Sequence, residues 1–269
     1  MNKTIFYWLL AIIITLSAAV YQRATGPTYE KNIDFTFADK QYKIKLPRSH
    51  GSTKSCRVSL NVNDNRVEGK ILYKRYPSAD DLSEMIMERE GENLIAQLPN
   101  QAAAGKLEYR VLLNNVDNNV EVLNSGPIVI RFKGDVPTVV LIPHIFFMFF
   151  AMLFSNLTGL LALGKKERYK FYTIVTIICL FAGGMILGPV VQNFAFGELW
   201  TGVPFGWDLT DNKTLLAFLF WVIAVIGNWK KDRPYLSIIA AIILLLIYSI
   251  PHSMFGSELD YSTGVVGQG

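Results

Sequence analysis

The chain has 269 residues and a mass of 30.3 kDa, which suits one or two domains. Hydrophobic residues make up 51% of it and charged residues only 18%, so the composition excludes a disordered chain and disfavours an ordinary soluble enzyme. The net charge of +4 does not indicate nucleic-acid binding, because membrane topology accounts for where the charges lie.

Charged residues are concentrated in one part of the chain. Residues 22–136 contain 17 Lys and Arg and 15 Asp and Glu, whereas all other positions together contain 9 and 7. Long apolar runs dominate the rest of the sequence. The sequence therefore predicts a polar domain joined to a membrane-embedded part.

Residues 4–21 form the first apolar run and follow a single basic residue, Lys3. Roughly 18 apolar residues are just enough to cross a bilayer as a helix. The small residues Ser17–Ala19 are also compatible with a cleaved signal peptide. The length of the apolar run and the single basic residue before it favour a retained anchor. Residues 1–21 are therefore predicted to form an N-terminal transmembrane anchor.

Residues 22–136 show the alternation that is typical of short β-strands. Val58, Leu60 and Val62 alternate with polar residues, and the pattern resumes after an Asn-Asp-Asn turn. About eight such runs occur, at 35–37, 42–46, 58–62, 67–73, 94–98, 106–113, 119–123 and 127–132. Their spacing predicts an extracytoplasmic β-sandwich of immunoglobulin or fibronectin-III type, without the usual inter-sheet cysteine pair. Residues 80–90 are predicted to form an inserted helix.

Residues 137–269 are predicted to form a four-helix transmembrane domain. The expected spans are 137–163, about 171–195, about 214–229 and about 235–251. None contains Asp, Glu, Lys or Arg in its interior, and the span at 214–229 is long enough only if it borrows from its flanks. An ion-driven carrier is disfavoured, because such proteins usually need ionisable groups within the membrane.

The loops between the spans predict the orientation of the chain. Residues 165–170 contain four basic residues and residues 230–233 contain three, whereas loop 196–212 and the segment after residue 252 contain none. The positive-inside rule places the two basic loops in the cytoplasm. We therefore expect a multi-pass protein of the bacterial inner membrane, with the polar domain and the C-terminus outside.

Two histidines near the predicted outer face are candidate ligands. His144 lies about seven residues into the second span, His252 ends the fifth, and each follows an Ile-Pro pair. Neutral imidazole is a good ligand for haem iron and other transition metals. The alternative is that each imidazole donates to a backbone carbonyl freed by the preceding proline. A shared ligand role requires the second and fifth spans to be neighbours.

An aromatic, glycine-rich and acidic segment lies between these histidines. Residues 196–213 read FGELWTGVPFGWDLTDNK and fall at the predicted outer interface. An interfacial aromatic belt does not by itself require this run of Gly, Asp and Asn. We therefore predict that Trp200, Phe205 and Trp207 form a flat hydrophobic platform, and that Asp208 orients a histidine ring nitrogen.

Residues 193–227 resemble the tryptophan-rich signature of the haem-handling membrane proteins of cytochrome c maturation. The matching elements are Asn193, Phe196-Gly197, Trp200, Trp207-Asp208 and the apolar helix after Lys213. Phe196 stands in place of the first Trp, residues 203–206 belong to an insertion, and the Pro-Lys-Glu of the signature is absent. A histidine on each side of the signature ligates haem in that family, so the resemblance assigns those positions to His144 and His252.

The predicted function is the handling of haem, or help in assembling a haem-containing membrane complex, at the outer face. A membrane or periplasmic protein partner is expected, nucleic acid is not, and no catalytic residue is assigned. The first alternative is a cofactor-free scaffold whose β-sandwich docks a partner protein. The second is a divalent-cation site, which has suitable oxygen ligands but no recognisable loop spacing, at Glu198, Asp208, Asp211, Glu258 and Asp260.

Overall fold

The computed structural model describes residues 3–251 and 257–268. The α-helices in this part of the chain are α1 (Lys3–Thr25), α2 (Thr138–Leu163), α3 (Tyr169–Leu180), α4 (Gly188–Phe196), α5 (Leu209–Trp229) and α6 (Pro234–Ser249). A π-helical stretch, Phe181–Leu187, joins α3 to α4, so residues 169–196 form one continuous helical segment.

Short strands fill the chain between α1 and α2. They are β1 (Lys31–Phe37), β2 (Lys40–Leu46), β3 (Ser49–Gly51), β4 (Cys56–Asn61), β5 (Val67–Arg75), β6 (Ser83–Ile86), β7 (Glu88–Glu90), β8 (Asn93–Leu98), β9 (Lys106–Asn115), β10 (Val120–Asn124) and β11 (Ile128–Lys133). After α6, β12 (Ser257–Leu259) and β13 (Val266–Gln268) form a C-terminal hairpin.

The strands between α1 and α2 pack around one hydrophobic core. The larger sheet has the order β3-β11-β9-β5-β6, with β10 also paired to β9, and the smaller sheet has the order β4-β8-β7. The β1–β2 hairpin lies beside β4. Leu60 of the smaller sheet and Ile71 and Leu107 of the larger one are buried in the same core. The predicted β-rich polar domain is therefore confirmed, and we call it the β domain.

The prediction of an inserted helix at residues 80–90 is wrong. The chain forms β6 and β7 there, which pair with β5 and β8 respectively. Met87 lies between them with 5% of its surface exposed, and its backbone N–H donates to the carbonyl of Gly69 at 2.8 Å. Glu and Met favour helices, but pairing at the edges of two sheets and burial of Met87 outweigh that local preference.

Among the described residues, four helical segments are long and apolar enough to cross a membrane: Thr4–Thr25, Thr138–Leu163, Tyr169–Phe196 and Leu209–Trp229. The last begins at Leu209 rather than near residue 214, because Asp208 caps the helix. At the fifth predicted span, α6 is apolar but has only 16 residues. It is therefore about 24 Å long, somewhat less than the roughly 30 Å of bilayer hydrocarbon.

The two basic loops lie together at one end of the helices. Lys170, at the start of α3, forms an ion pair with Asp232, which precedes α6. A side chain at Gly164, just after α2, would collide with the ring of Tyr7 near the start of α1. The N-terminal end of α1 is therefore on the same side as both basic loops.

The β domain lies at the opposite end of the helices. The side-chain amide of Gln22, near the end of α1, donates to the carbonyl of Ile250 at the end of α6 at 3.5 Å. The loop between α4 and α5, residues 197–208, and the C-terminal hairpin are on this side as well. The chain therefore separates its basic loops from its β domain by the length of the helices.

Candidate functional site at the junction

The β domain, the α4–α5 loop and the C-terminal hairpin meet at one place, which we call the junction (Lys106, Arg131, residues 192–213 and residues 257–261). Beside it, the backbone N–H of Gly134 donates to the carbonyl of Ala195 at 2.9 Å. Any side chain at Gly134 would collide with the carbonyl oxygen of Phe194. The β domain is therefore in direct backbone contact with α4.

Asp208 connects the start of α5 to the C-terminal hairpin. Its Oδ1 accepts hydrogen bonds from the backbone N–H groups of Thr210 and Asp211 at 2.7 and 3.2 Å, as an N-cap does. Its Oδ2 accepts from the N–H and the hydroxyl of Ser257 at 2.9 and 3.2 Å. Asp208 is buried, and both oxygens are engaged by these groups. That it orients a histidine ring stays a prediction.

Asp211, in the first turn of α5, holds the α4–α5 loop from the inside. Its Oδ2 accepts from the backbone N–H groups of Thr201 and Gly202 at 2.7 and 3.1 Å. The side-chain amide of Gln192 on α4 donates to the same oxygen at 3.1 Å. A buried carboxylate with several donors of this kind is well satisfied, and it sets the path of the loop.

Arg131 brings a buried cation from β11 to the junction. Its guanidinium donates to the carbonyl of Ser257, and its Cζ lies 4.1 Å from the centre of the Phe196 ring, in cation–π geometry. Burial lowers the pKa of Arg131 to about 10, although nearby carboxylates oppose the shift. The side chain is therefore still charged at neutral pH and connects β11, α4 and the hairpin.

The C-terminal hairpin is attached to the β domain at several further points. Glu258 forms an ion pair with Lys106 at the start of β9. The Tyr261 hydroxyl accepts from the backbone N–H of Lys106 at 2.9 Å and donates to its carbonyl at 2.8 Å. The Arg75 guanidinium lies over the Tyr261 ring, 5.3 Å from its centre. The hairpin thus connects the β domain to the start of α5.

His144 and His252, the two candidate ligands, cannot be compared, because His252 lies outside the described residues. The Nδ1 of His144 is 2.9 Å from the carbonyl oxygen of Gly183, in the π-helical stretch. A carbonyl oxygen only accepts, so Nδ1 carries the proton, and in the neutral imidazole Nε2 is unprotonated. The accepting carbonyl belongs to the neighbouring helix and is not one that Pro143 frees. A π-helix disturbs the usual backbone pairing and can leave such a carbonyl available.

The three predicted platform residues have different surroundings. Trp200 is half-buried, and its ring N–H donates to the carbonyl of Val203 at 3.1 Å. Phe205 and Trp207 are 82% and 72% exposed. The Trp200 ring therefore packs within the loop and is hydrogen-bonded to it, while the Phe205 and Trp207 rings are exposed.

A small cavity lies beside Lys213, near the end of α6. The Lys213 ammonium is buried and donates to the carbonyls of Ile250 and Pro251 at 3.1 and 3.4 Å, where the helix end favours a cation. The cavity measures about 10 Å³ and is lined by Gln22, Met148, Leu180, Lys213, Thr214, Ala217, Ile247 and Tyr248. It suits one water molecule and is far below the roughly 300 Å³ of a small ligand pocket.

The acidic residues of the alternative cation site do not converge on one point, and most of them bind different partners. Asp208 and Asp211 bind different backbone groups, Glu258 binds a lysine, and Asp260 accepts hydrogen bonds within its own turn. Glu198 is exposed. Within residues 3–251 and 257–268, no three His, Cys, Asp or Glu side chains are placed so that they could hold a metal ion.

Sequence reasoning missed Arg131, Lys106 and the C-terminal hairpin. The Arg131–Ser257 and Lys106–Glu258 contacts join positions 126 and 152 residues apart, which no local pattern reveals. One signal was present: Arg131 interrupts an apolar strand, Ile-Val-Ile-Arg-Phe. A charge at a buried strand position needs a partner, so Arg131 could have been identified as a contact residue.

Comparison with known proteins identifies a relative among archaeal membrane proteins. A stretch of 93 residues, 34% of this chain, is 31% identical to the UPF0132 membrane protein MJ1443 of Methanocaldococcus jannaschii and covers 76% of that protein. No family model and no solved structure matches the chain. Together with the four apolar helical segments, the relative identifies this chain as a membrane protein. The chain belongs to the family of UPF0132 membrane proteins.

Proposed function

We propose that this protein is a cofactor-free membrane scaffold, which holds its β domain in a fixed orientation for a partner protein. The observation that carries the proposal is the junction, where buried charges bind other parts of the chain. Arg131 connects β11 to α4 and the hairpin, and Asp208 connects the hairpin to α5. A simple tether needs only a flexible linker, whereas buried charges that are hydrogen-bonded to distant parts of the chain favour one arrangement.

The β domain is proposed to work on the extracytoplasmic side of the inner membrane. The basic loops lie together at the far end of the helices, as the Lys170–Asp232 ion pair indicates. The positive-inside rule assigns that end to the cytoplasm. The hairpin packs against the β domain, so the C-terminal segment is proposed to be extracytoplasmic too, with α6 as the fifth crossing.

The β domain is proposed to be of immunoglobulin or fibronectin-III type. The order β11-β9-β5-β6 opposite β4-β8-β7 supports this type, since it corresponds to strands G, F, C and C′ opposite B, E and D. Such sandwiches are common in cell-surface proteins and mostly bind partners or act as spacers. Both uses agree with a scaffold.

Photocrosslinking in native membranes tests the scaffold proposal. A crosslinking residue is placed in the full-length chain at Tyr29, Ile86 or Val116, three exposed positions of the β domain. At least one position should give a discrete product with a partner. R131Q combined with E258Q should reduce that product severalfold, because both charged contacts between the β domain and the C-terminal hairpin are then lost, whereas K54Q at an exposed position outside the junction should not.

Two results would overturn the scaffold proposal. One is the absence of a discrete product from all three positions. The other is an unchanged yield after the junction has been broken by the double substitution.

Haem handling is the second candidate function. His144 favours it, because the Gly183 carbonyl fixes the proton on Nδ1 and leaves Nε2 as the nitrogen that an axial ligand uses. Two observations near His144 and Asp208 favour the scaffold instead. Asp208 is already engaged, and the cavity lined by Met148, one helical turn from His144, holds only about 10 Å³.

An absorption spectrum of the detergent-purified full-length protein separates the two functions. A Soret band after expression with added haem, lost in H144A and kept in E198Q, supports haem handling. The scaffold proposal expects no such band in any of the three proteins.

A further inference from the structure

We propose that the α4–α5 loop is a lipid-inserted wedge, whose apolar side chains lie in the interfacial region of the leaflet nearest the β domain. Leu199, Val203, Phe205 and Trp207 are 56%, 42%, 82% and 72% exposed. These four large apolar side chains fall within nine consecutive residues. Exposure of this density on a short loop marks a surface that contacts another apolar phase.

Side chains in the first turn of α5 accept hydrogen bonds from the backbone N–H groups of the loop. Asp211 accepts from the N–H groups of Thr201 and Gly202, and Asn212 accepts from the N–H of Val203 at 2.7 Å. The N–H groups of Phe205 and Gly206 donate to the carbonyl of Gly202 at 2.9 and 3.0 Å. Backbone groups must be satisfied internally before a segment can enter the membrane, and this loop meets much of that requirement.

The position of the loop identifies lipid as the occupant. The loop begins where α4 ends and finishes where α5 starts, so both of its ends are held at the ends of apolar helices. The exposed apolar surface continues along those helices at Phe194, Leu216 and Leu219. Glu198 is the one charged residue between Gly197 and Trp207. Trp and apolar residues at such a position are typical of the membrane–water interface.

The wedge is also small for a protein partner. Two aromatic and two aliphatic side chains offer roughly 400–500 Å² of surface. A stable protein interface buries about 800 Å² on each partner. Lipid needs no such minimum area, and we commit to it as the occupant.

Spin-label accessibility in the full-length protein tests the wedge. F205C and W207C are labelled with a nitroxide in phosphatidylcholine nanodiscs, and the parent chain serves as a blank, because Cys56 and Cys179 are both buried. The measured quantity is the ratio of collisions with oxygen, which concentrates in lipid, to collisions with a water-soluble nickel chelate. V116C and V120C are the controls, with native side chains 51% and 56% exposed. They lie at the end of β9 that is about 30 Å from Lys106.

The oxygen-to-nickel ratio should be severalfold higher at positions 205 and 207 than at positions 116 and 120. A ratio equal to that of the controls would place the loop in water and overturn the proposal. Exclusion of both reagents, with dipolar broadening between labels, would identify a second copy of the chain and overturn it as well. Two independent positions keep the test valid if one variant fails to fold.

Discussion

Asp208 shows how one carboxylate can have two structural tasks. Its Oδ1 caps α5 and its Oδ2 binds Ser257 in the C-terminal hairpin. The cap was not predicted, because the apolar run that marks this helix in the sequence starts near residue 214, whereas the helix itself begins at Leu209. The bond to Ser257 could not be predicted either, because the two positions are 49 apart in the sequence, with α5 and α6 between them.

We expect Asp208→Ala to lower the free energy of unfolding by about 2 kcal/mol, because it removes a helix cap and leaves the buried Ser257 N–H without an acceptor. Thermal unfolding of the purified full-length protein in detergent measures the change. Glu198→Ala is the matched control in the same loop, and we expect it to have little effect because Glu198 is exposed. Equal stability of the two variants would contradict the role given to Asp208.

Cys56 provides a second residue-scale prediction. It is buried in the β domain, and burial raises the pKa of its thiol to about 11. At pH 8 roughly one molecule in a thousand carries the reactive thiolate. We expect no maleimide labelling of Cys56 in the folded protein and complete labelling after unfolding, as mass spectrometry of its peptide would show. Rapid labelling of the folded protein would contradict its burial.

Among the elements, α1 is packed as an integral part of the helices. Ala11 and Thr15 are fully buried, and the side-chain amide of Asn156 on α2 donates to the Thr15 hydroxyl at 3.0 Å. Trp8 packs edge-on against Phe154 and Tyr172. The amino-acid sequence allowed either a retained anchor or a cleaved signal peptide, and these contacts favour the anchor.

We expect α1 to remain attached in the mature protein, because its loss would leave the buried Asn156 amide in an apolar environment without a partner. Intact-mass measurement of protein purified from membranes should include residues 4–25. A mature chain that starts after residue 19 would contradict this. Thr15→Val should lower stability by about 1 kcal/mol, whereas Ile13→Val, at a position that is 60% exposed on α1, should not.

Helix and strand periodicity explain why the elements could largely be predicted, and residues 80–90 show where they could not. The apolar runs identified the four helical segments that are long enough to cross a membrane, and α5 differs only at its start. The fifth predicted span coincides with α6, which is shorter. The segment at 80–90 has helix-favouring residues, but its conformation depends on β5 and β8, which lie elsewhere in the chain. Strand pairing at an edge is a non-local interaction that propensity does not report.

For the whole molecule, the separation of basic loops from the β domain leads to a topology prediction. A reporter that is active only in the cytoplasm should be silent after Gly269 and active when inserted in the loop between α5 and α6, because the positive-inside rule places that basic loop in the cytoplasm. Activity after Gly269 together with silence in the α5–α6 loop would reverse the orientation. Equal activity at both positions would mean that α6, with its 16 residues, does not cross the membrane.

The apolar membrane helices and the β-rich domain could be read from the chain alone, because each depends on local periodicity. The orientation, which the charges beside the apolar runs indicate, stays a prediction. The junction is different, since Arg131, Asp208 and Ser257 come from three distant segments. The orientation of the Phe205 and Trp207 side chains could not be read from the sequence either. Both aromatic residues were visible in the sequence, but whether they point into a site or away from it depends on Asp211 and Asn212 binding the loop backbone from inside. Contacts between distant segments leave no periodic trace along a chain, so only the tertiary structure decides them.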